Sequence, residues 1–142
     1  IRLNPSLHGM SGITIDQETI PTFEYIVKRL NDYNLAYVHL SEPFTDVSDV
    51  KHAVTNIAEH FRPLYNGTLM INTNFDQESG NKIIAAGTAD LVAFGKPFIS
   101  NPDLVARFRH DVELADWDKD TFYTTGKEGY TDYPKATTKI NL

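Results

Sequence analysis

The sequence predicts a parallel α/β fold, specifically part of a (β/α)8 barrel, and three observations carry that reading. Short β-rich runs alternate four times with stretches of helical periodicity, the alternation from which parallel sheets are built. The fourth run, Leu91-Val92-Ala93-Phe94, is almost wholly apolar, as expected where both faces of a parallel sheet are covered. Alternation alone leaves an open doubly wound sheet as the other architecture. Length helps to decide between them: the chain has 142 residues, whereas a complete barrel typically takes ~250, so four strands and four helices correspond to roughly half of one.

The elements follow in order. Ile1-Arg2-Leu3-Asn4-Pro5 reads as a strand already under way, ending at a proline that cannot continue a ladder, and Ile1 is not a start methionine. The expectation is a chain that begins inside a larger protein. Gly9, Ser11 and Gly12 form a loop that ends near Asp16. From Thr19, the apolar residues Ile20, Phe23, Ile26, Val27 and Leu30 recur at helical spacing, with Pro21 in the first turn, so a helix runs to about Asn31. Ala36-Tyr37-Val38-His39-Leu40 is a second strand, stopped by Ser41-Glu42-Pro43.

Val47, Val50, Val54, Ile57, Ala58 and Phe61 predict a second helix, capped by Asp46 or Ser48 and ended by Arg62-Pro63. After an Asn66-Gly67 turn signal, Thr68-Leu69-Met70-Ile71-Asn72 is the third strand. A third helix starts at Asp76, a good N-cap, and stops at Gly87, a good C-cap. After the fourth strand, Asn101-Pro102-Asp103-Leu104 opens a short fourth helix with proline at its first position. Four βα units thus occupy residues 1–115, and a polar, aromatic tail that packs on the barrel occupies 116–142. Half a barrel leaves an edge and an interior open, so it needs a partner, either its missing N-terminal half or a second copy of the chain.

Composition narrows the chemistry. The formal net charge is -6 with a pI near 5.2, and the basic residues are scattered, which argues against a nucleic-acid surface. With no cysteine, disulfides, thiolate nucleophiles and Cys-based metal centres are excluded. No stretch approaches the length of a membrane span and no signal peptide is visible, so a cytoplasmic setting is expected. The five histidines show no ligand spacing; His39 alternates within a strand as a structural or supporting residue, and no metal is expected.

Two loops leave the C-terminal ends of strands, where barrel enzymes build their sites: Asn72-Thr73-Asn74-Phe75-Asp76 and Gly95-Lys96-Pro97. Gly95 allows close approach of an anion, Lys96 supplies charge, and Asn74 can donate to a phosphate oxygen. On pattern alone, a turn glycine and a solvated lysine explain the same residues.

A longer pattern resembles a known family. Asp90-Leu91-Val92-Ala93-Phe94-Gly95-Lys96-Pro97-Phe98-Ile99-Ser100-Asn101-Pro102-Asp103-Leu104-Val105 is similar to the last barrel strand and following loop of the Old Yellow Enzyme family, which includes N-ethylmaleimide reductases. Tyr37-Val38-His39-Leu40-Ser41-Glu42-Pro43, Arg2-Leu3-Asn4-Pro5, Thr121-Phe122-Tyr123 and Gly129-Tyr130-Thr131-Asp132-Tyr133-Pro134 join it in the family's order. The resemblance implies barrel strands five to eight, with FMN at their C-terminal ends and NAD(P)H as co-substrate. Arg2 would lie beside the flavin's pyrimidine edge, and Thr73, Asn74, Gly95 and Lys96 would hold its phosphate. Tyr130 matches a tyrosine that reaches toward the substrate pocket; packing of the tail is the equal alternative.

Two positions depart from the family. Thr73 stands where glycine is usual, and Lys96 stands where arginine is common, keeping the charge but losing the bidentate fork. The family's substrate-anchoring His/Asn or His/His pair and its proton-donating tyrosine belong upstream of Ile1, so no catalytic residue is assigned within this chain. The implied activity of the intact protein is hydride transfer from reduced FMN to an α,β-unsaturated carbonyl, with N-ethylmaleimide and nitro compounds as further candidates. Two other readings stand beside it: an inactive self-associating half-barrel and a flavin-free phosphate-binding barrel enzyme.

Overall fold

A computed structural model of the chain describes residues 1–136; the last residues of the expected tail, 137–142, lie outside the described residues. The chain divides into two compact units, Ile1–Ala93 and a second beginning at Phe94.

The first unit holds β1 (Arg2–Leu3), α1 (Thr19–Leu30), β2 (Val38–Ser41), α2 (Ile57–Phe61), β3 (Leu69–Asn72), α3 (Gln77–Ala85) and β4 (Leu91–Ala93). Its four strands are all parallel and adjacent in chain order, β1-β2-β3-β4. The core is built on one face of that sheet. Val38, Leu40, Leu69 and Ile71 pack with Val27 of α1 and with Ile57, Ala58 and Phe61 of α2, and Leu3, Ile83 of α3 and Val92 join them. A doubly wound sheet puts helices on both faces and breaks chain order. Helices on one face with sequential strands are half of a (β/α)8 barrel, the fold class that the sequence predicts.

Local chemistry explains where the elements begin and end. Asp16 and Thr19 exchange hydrogen bonds ahead of α1: the Asp16 N–H donates to Thr19 Oγ1 at 3.0 Å, and Thr19 Oγ1 donates to the Asp16 carboxylate at 2.8 Å. The side chain of Asn31, at the C-cap of α1, donates to the Leu64 carbonyl and accepts from the Asn66 N–H, joining the helix end to the turn before β3. Asp76 and Ser79 form a reciprocal capping box on α3, and Gly87, just past its C-cap at φ 70°, takes the left-handed conformation that closes a helix.

The second helix departs from expectation. Only Ile57–Phe61 is helical, extended by a 3₁₀ turn at Arg62–Leu64 that includes Pro63 rather than stopping before it. Val47 and Val50 open successive turns closed by the Val50 and Ala53 N–H groups, with Asp46 capturing the Ser48 N–H at 2.9 Å and His52 at φ 69°, and Val54 follows in irregular chain. The helix starts where the Glu42 carboxylate accepts from the Ile57 and Ala58 N–H groups, at 2.7 and 2.9 Å. That cap comes from the end of β2, fifteen residues upstream, and no local pattern announces it. The fourth strand also differs: Leu91 is 41% exposed, so the apolar run is not covered on both faces within this chain.

In the second unit a short helix absent from the sequence reading, α4 (Lys96–Ser100), precedes α5 (Leu104–Arg109). Proline 102 is not the first residue of a helix; it precedes Asp103, the N-cap of α5. The break arises because Asn101 spends its side chain elsewhere, accepting from the Ala115 N–H at 2.8 Å and donating to the Ala115 and Pro97 carbonyls. Asp103 and Arg107, each about 7% exposed, pair at 2.8 Å. Asp103 also accepts from the Ala136 N–H, and Arg107 donates to the Glu113 and Pro134 carbonyls, so α5 clasps the tail at residues 134–136. Burial opposes ionisation of Asp103, but Arg107 and the Ala136 N–H hold its carboxyl below the ordinary value.

Candidate functional site

The face of the sheet opposite the helices carries the other half of the strand alternation. Because Leu3, Val38, Leu40, Leu69, Ile71 and Val92 point to the core, Arg2, His39, Ser41, Met70 and Asn72 point away from it. In a closed barrel this is the interior face, and active sites form at its C-terminal end. Arg2, His39, Ser41 and Asn72 make one hydrogen-bonded group there, spanning three strands. Arg2 Nε and Nη2 lie 3.3 and 3.1 Å from Ser41 Oγ. Ser41 Oγ lies 2.7 Å from Asn72 Oδ1, and His39 Nε2 lies 3.0 Å from the same oxygen.

With the Asn72 amide oxygen turned to both Ser41 and His39, donor and acceptor chemistry orders the protons of this group. A guanidinium only donates, so Ser41 Oγ accepts from Arg2 and must send its own hydrogen to Asn72. The same Asn72 oxygen faces His39, so in this arrangement the ring carries its hydrogen on Nε2. Burial lowers the His39 pKa, with Arg2 adding to the effect and the Asn72 bond opposing it, which favours the neutral ring. Arg2 is itself exposed, so its charge is fixed in direction yet open to a ligand.

Thr73 and Asn74 follow directly after β3. Both adopt positive φ, 89° and 57°. Threonine is β-branched and strongly disfavours that region, so the backbone here takes a glycine-like course despite the side chain. The Thr73 hydroxyl oxygen is buried without a hydrogen-bond partner. A cleft of about 420 Å³ opens beside these residues, also lined by Glu42, Asp46, Asn56 and Phe75. Its two carboxylates make it a poor seat for an anion. Burial raises the Glu42 pKa, and its two backbone hydrogen bonds offset part of that rise.

Gly95 and Lys96 belong to the second unit. Gly95 is the N-cap residue of α4 with φ -89°, and a side chain there would meet nothing within 4 Å. Glycine is thus not required by chain conformation or by crowding from this chain. Lys96 is exposed at the first position of α4, with Nζ 5.9 Å from the centre of the Trp117 ring, a cation–π distance. Tyr130 is 54% exposed, and its hydroxyl donates to the Phe122 carbonyl at 2.9 Å, which secures the tail to itself. Gly129 beside it is required twice over, by φ 75° and by the Thr121 carbonyl oxygen 2.5 Å from where a Cβ would sit.

Ser41, Asn72 and Glu42 were not singled out as site residues from sequence. A signal for the first two exists: polar residues at alternate positions in strands whose other positions are apolar. Among the described residues no three His, Asp or Glu side chains are grouped as metal ligands, and no helix is long and apolar enough to cross a membrane.

The sequence model of the NADH:flavin oxidoreductase / NADH oxidase family matches residues 1–115. The chain is 38% identical over 136 residues to 12-oxophytodienoate reductase 1 of Oryza sativa subsp. japonica, covering 94% of this chain and 35% of that protein. Among solved structures it is similar to the old yellow enzyme from Trypanosoma cruzi, with a TM-score of 0.82 and 32% identity over 94% of this chain and 34% of that one. The old yellow enzyme homologue from Zymomonas mobilis superposes with a TM-score of 0.83 and 31% identity, over 95% of this chain and 38% of that one. The chain therefore spans about a third of the length of the curated relatives it matches.

Proposed function

The chain belongs to the NADH:flavin oxidoreductase / NADH oxidase family, and on that premise we propose that it forms the flavin-tuning part of an FMN-dependent, NAD(P)H-driven reductase of activated alkenes. The observation that carries this reading is the fixed guanidinium of Arg2, pinned by Ser41 at the C-terminal end of the open sheet face. FMN, when bound, supplies the hydride that goes to the β-carbon of an α,β-unsaturated carbonyl, of N-ethylmaleimide or of a nitroalkene. Arg2 offers its positive edge to the cofactor's pyrimidine carbonyls and stabilises negative charge developing there. Thr73 and Asn74 turn the backbone at positive φ and bring an unpartnered hydroxyl and a side-chain amide to the phosphate. In the second unit, Gly95 and Lys96 offer an unobstructed backbone and a cation suited to a phosphate.

The open polar face is completed by the rest of a barrel, supplied as further chain or by a second copy; the greater length of the relatives supports further chain. That completion brings the proton donor and the groups that anchor the alkene. The test is anaerobic. The complete protein, reduced with NADPH or NADH, is mixed with N-ethylmaleimide or 2-cyclohexenone while the flavin absorbance is followed. Rapid reoxidation by the alkene is expected, and a protein that takes up no FMN under these conditions would sink the reading.

A further inference from the structure

We infer that Asn72, acting through Ser41, is a positioning residue that aims the Arg2 guanidinium and presents its own side-chain amide beside it. The inference rests on the flavin reading of Arg2, and its support is the proton order of the four-residue group. Ser41 Oγ accepts from Arg2 while its own hydrogen goes to Asn72 Oδ1, 2.7 Å away, and that second bond sets the rotation of the hydroxyl and so the direction of its lone pairs. The same oxygen takes the His39 Nε2 hydrogen, so two donors converge on it and set the rotation of the amide. Asn72 Nδ2 is then turned from both, and neither it nor Arg2 Nη1 has a partner among the described residues.

The result is a pair of outward hydrogen-bond donors, one charged and one neutral, whose directions are fixed by bonds made on their other sides. Such a pair fits a planar ring edge with adjacent carbonyl and ring-nitrogen acceptors. The strand register makes this arrangement rigid. Arg2 stands opposite His39, and Ser41 stands opposite Asn72, so each bond crosses between neighbouring strands whose ladder already holds the backbone. A mere brace between β2 and β3 needs only the Ser41–Asn72 bond and predicts no effect on a ligand.

Two sets of measurements separate these cases. In the flavin-free protein, the His39 nitrogen shifts report the tautomer: Nε2–H is expected in the wild type and in Asn72→Asp, which keeps an acceptor, and a mixed tautomer in Asn72→Ala. In the complete, flavin-loaded protein, Asn72→Ala and Ser41→Ala are each expected to weaken FMN binding roughly tenfold, the value of about one hydrogen bond to a charged group. Both should shift the flavin absorbance and make its reduction potential more negative, in the direction of Arg2→Ala. Because Asn72 acts through Ser41, Ser41→Ala together with Asn72→Ala should lose less than the product of the two single losses.

Full additivity, or wild-type FMN affinity and potential in Asn72→Ala despite lowered stability, would overturn the inference. Failure of the wild type to bind FMN would instead overturn the flavin reading itself. The two failures are thus told apart by the wild-type titration.

Discussion

Two polar clusters, one in each unit, use similar residues to opposite ends. In the second unit, Asp103, Arg107 and Asn101 are enclosed, and the donors and acceptors around them are matched: carboxylate to guanidinium and Ala136 N–H, amide to both groups of Ala115. In the first unit, Arg2 and Asn72 make bonds on one side only, Arg2 is exposed, and the Asn4 and Thr73 side-chain oxygens are buried without partners. A closed network spends all its bonding on the fold, as in the clasp of the tail by α5. An open one keeps donors in reserve for something that is not part of this chain.

The contrast can be broken by substitution. The largest effect on folding belongs to the enclosed pair. Arg107→Ala strands the buried Asp103 carboxylate and should cost about 3–5 kcal/mol, read by chemical denaturation. A cost below about 1 kcal/mol would mean that the pair is wetter than its exposure indicates. Since the folded-state pKa of Asp103 is depressed, its contribution is present above the ordinary carboxylate value and is lost as pH falls below it. Arg2→Ala should show the reverse profile: little change in stability, and a loss of FMN affinity of roughly 10- to 100-fold, corresponding to about 1.5–3 kcal/mol for hydrogen bonds to a charged group. Equal losses in stability and affinity would erase the distinction between the two clusters.

Smaller effects sharpen it. Thr73→Gly relieves a β-branched residue at φ 89°. The gain should be up to about 1 kcal/mol after the entropy of glycine is subtracted. A loss of stability instead would show that contacts of the Thr73 side chain outweigh its backbone strain. The smallest effect concerns Glu42, whose pKa is raised from an ordinary value of 4.5 by burial. Folding favours its protonated form, so stability should fall as pH rises from that value through the raised one. Glu42→Gln should flatten that slope, and an unchanged slope would assign it to other groups.

The sequence made the class of fold plain and several boundaries close to their places, because those depend on neighbours. Thr19–Leu30 follows from apolar spacing, and Gln77–Ala85 follows from Asp76 and Gly87. What it concealed depends on contacts between distant residues. The valines at 47, 50 and 54 keep helical spacing but lie outside the helix, since the cap that starts the helix arrives from Glu42. Asn101 reads as the start of a helix, yet its amide is committed to Ala115. Within the candidate site, Arg2, Thr73 and Asn74 were legible through the family pattern. Ser41 and Asn72 were not, because what distinguishes them is a proton order that exists only when three strands are side by side.

The sequential strand order has a consequence for how the molecule comes into being. Among these four strands each pairs only with the one made just before or after it. Contacts that close over short chain separations form quickly, and domains are commonly assembled from the N-terminal side during synthesis. The pairing of β1 with β2, and with it the Arg2–Ser41 bond, can form while β4 is still untranslated. The site would thus begin to take shape on the ribosome, strand by strand.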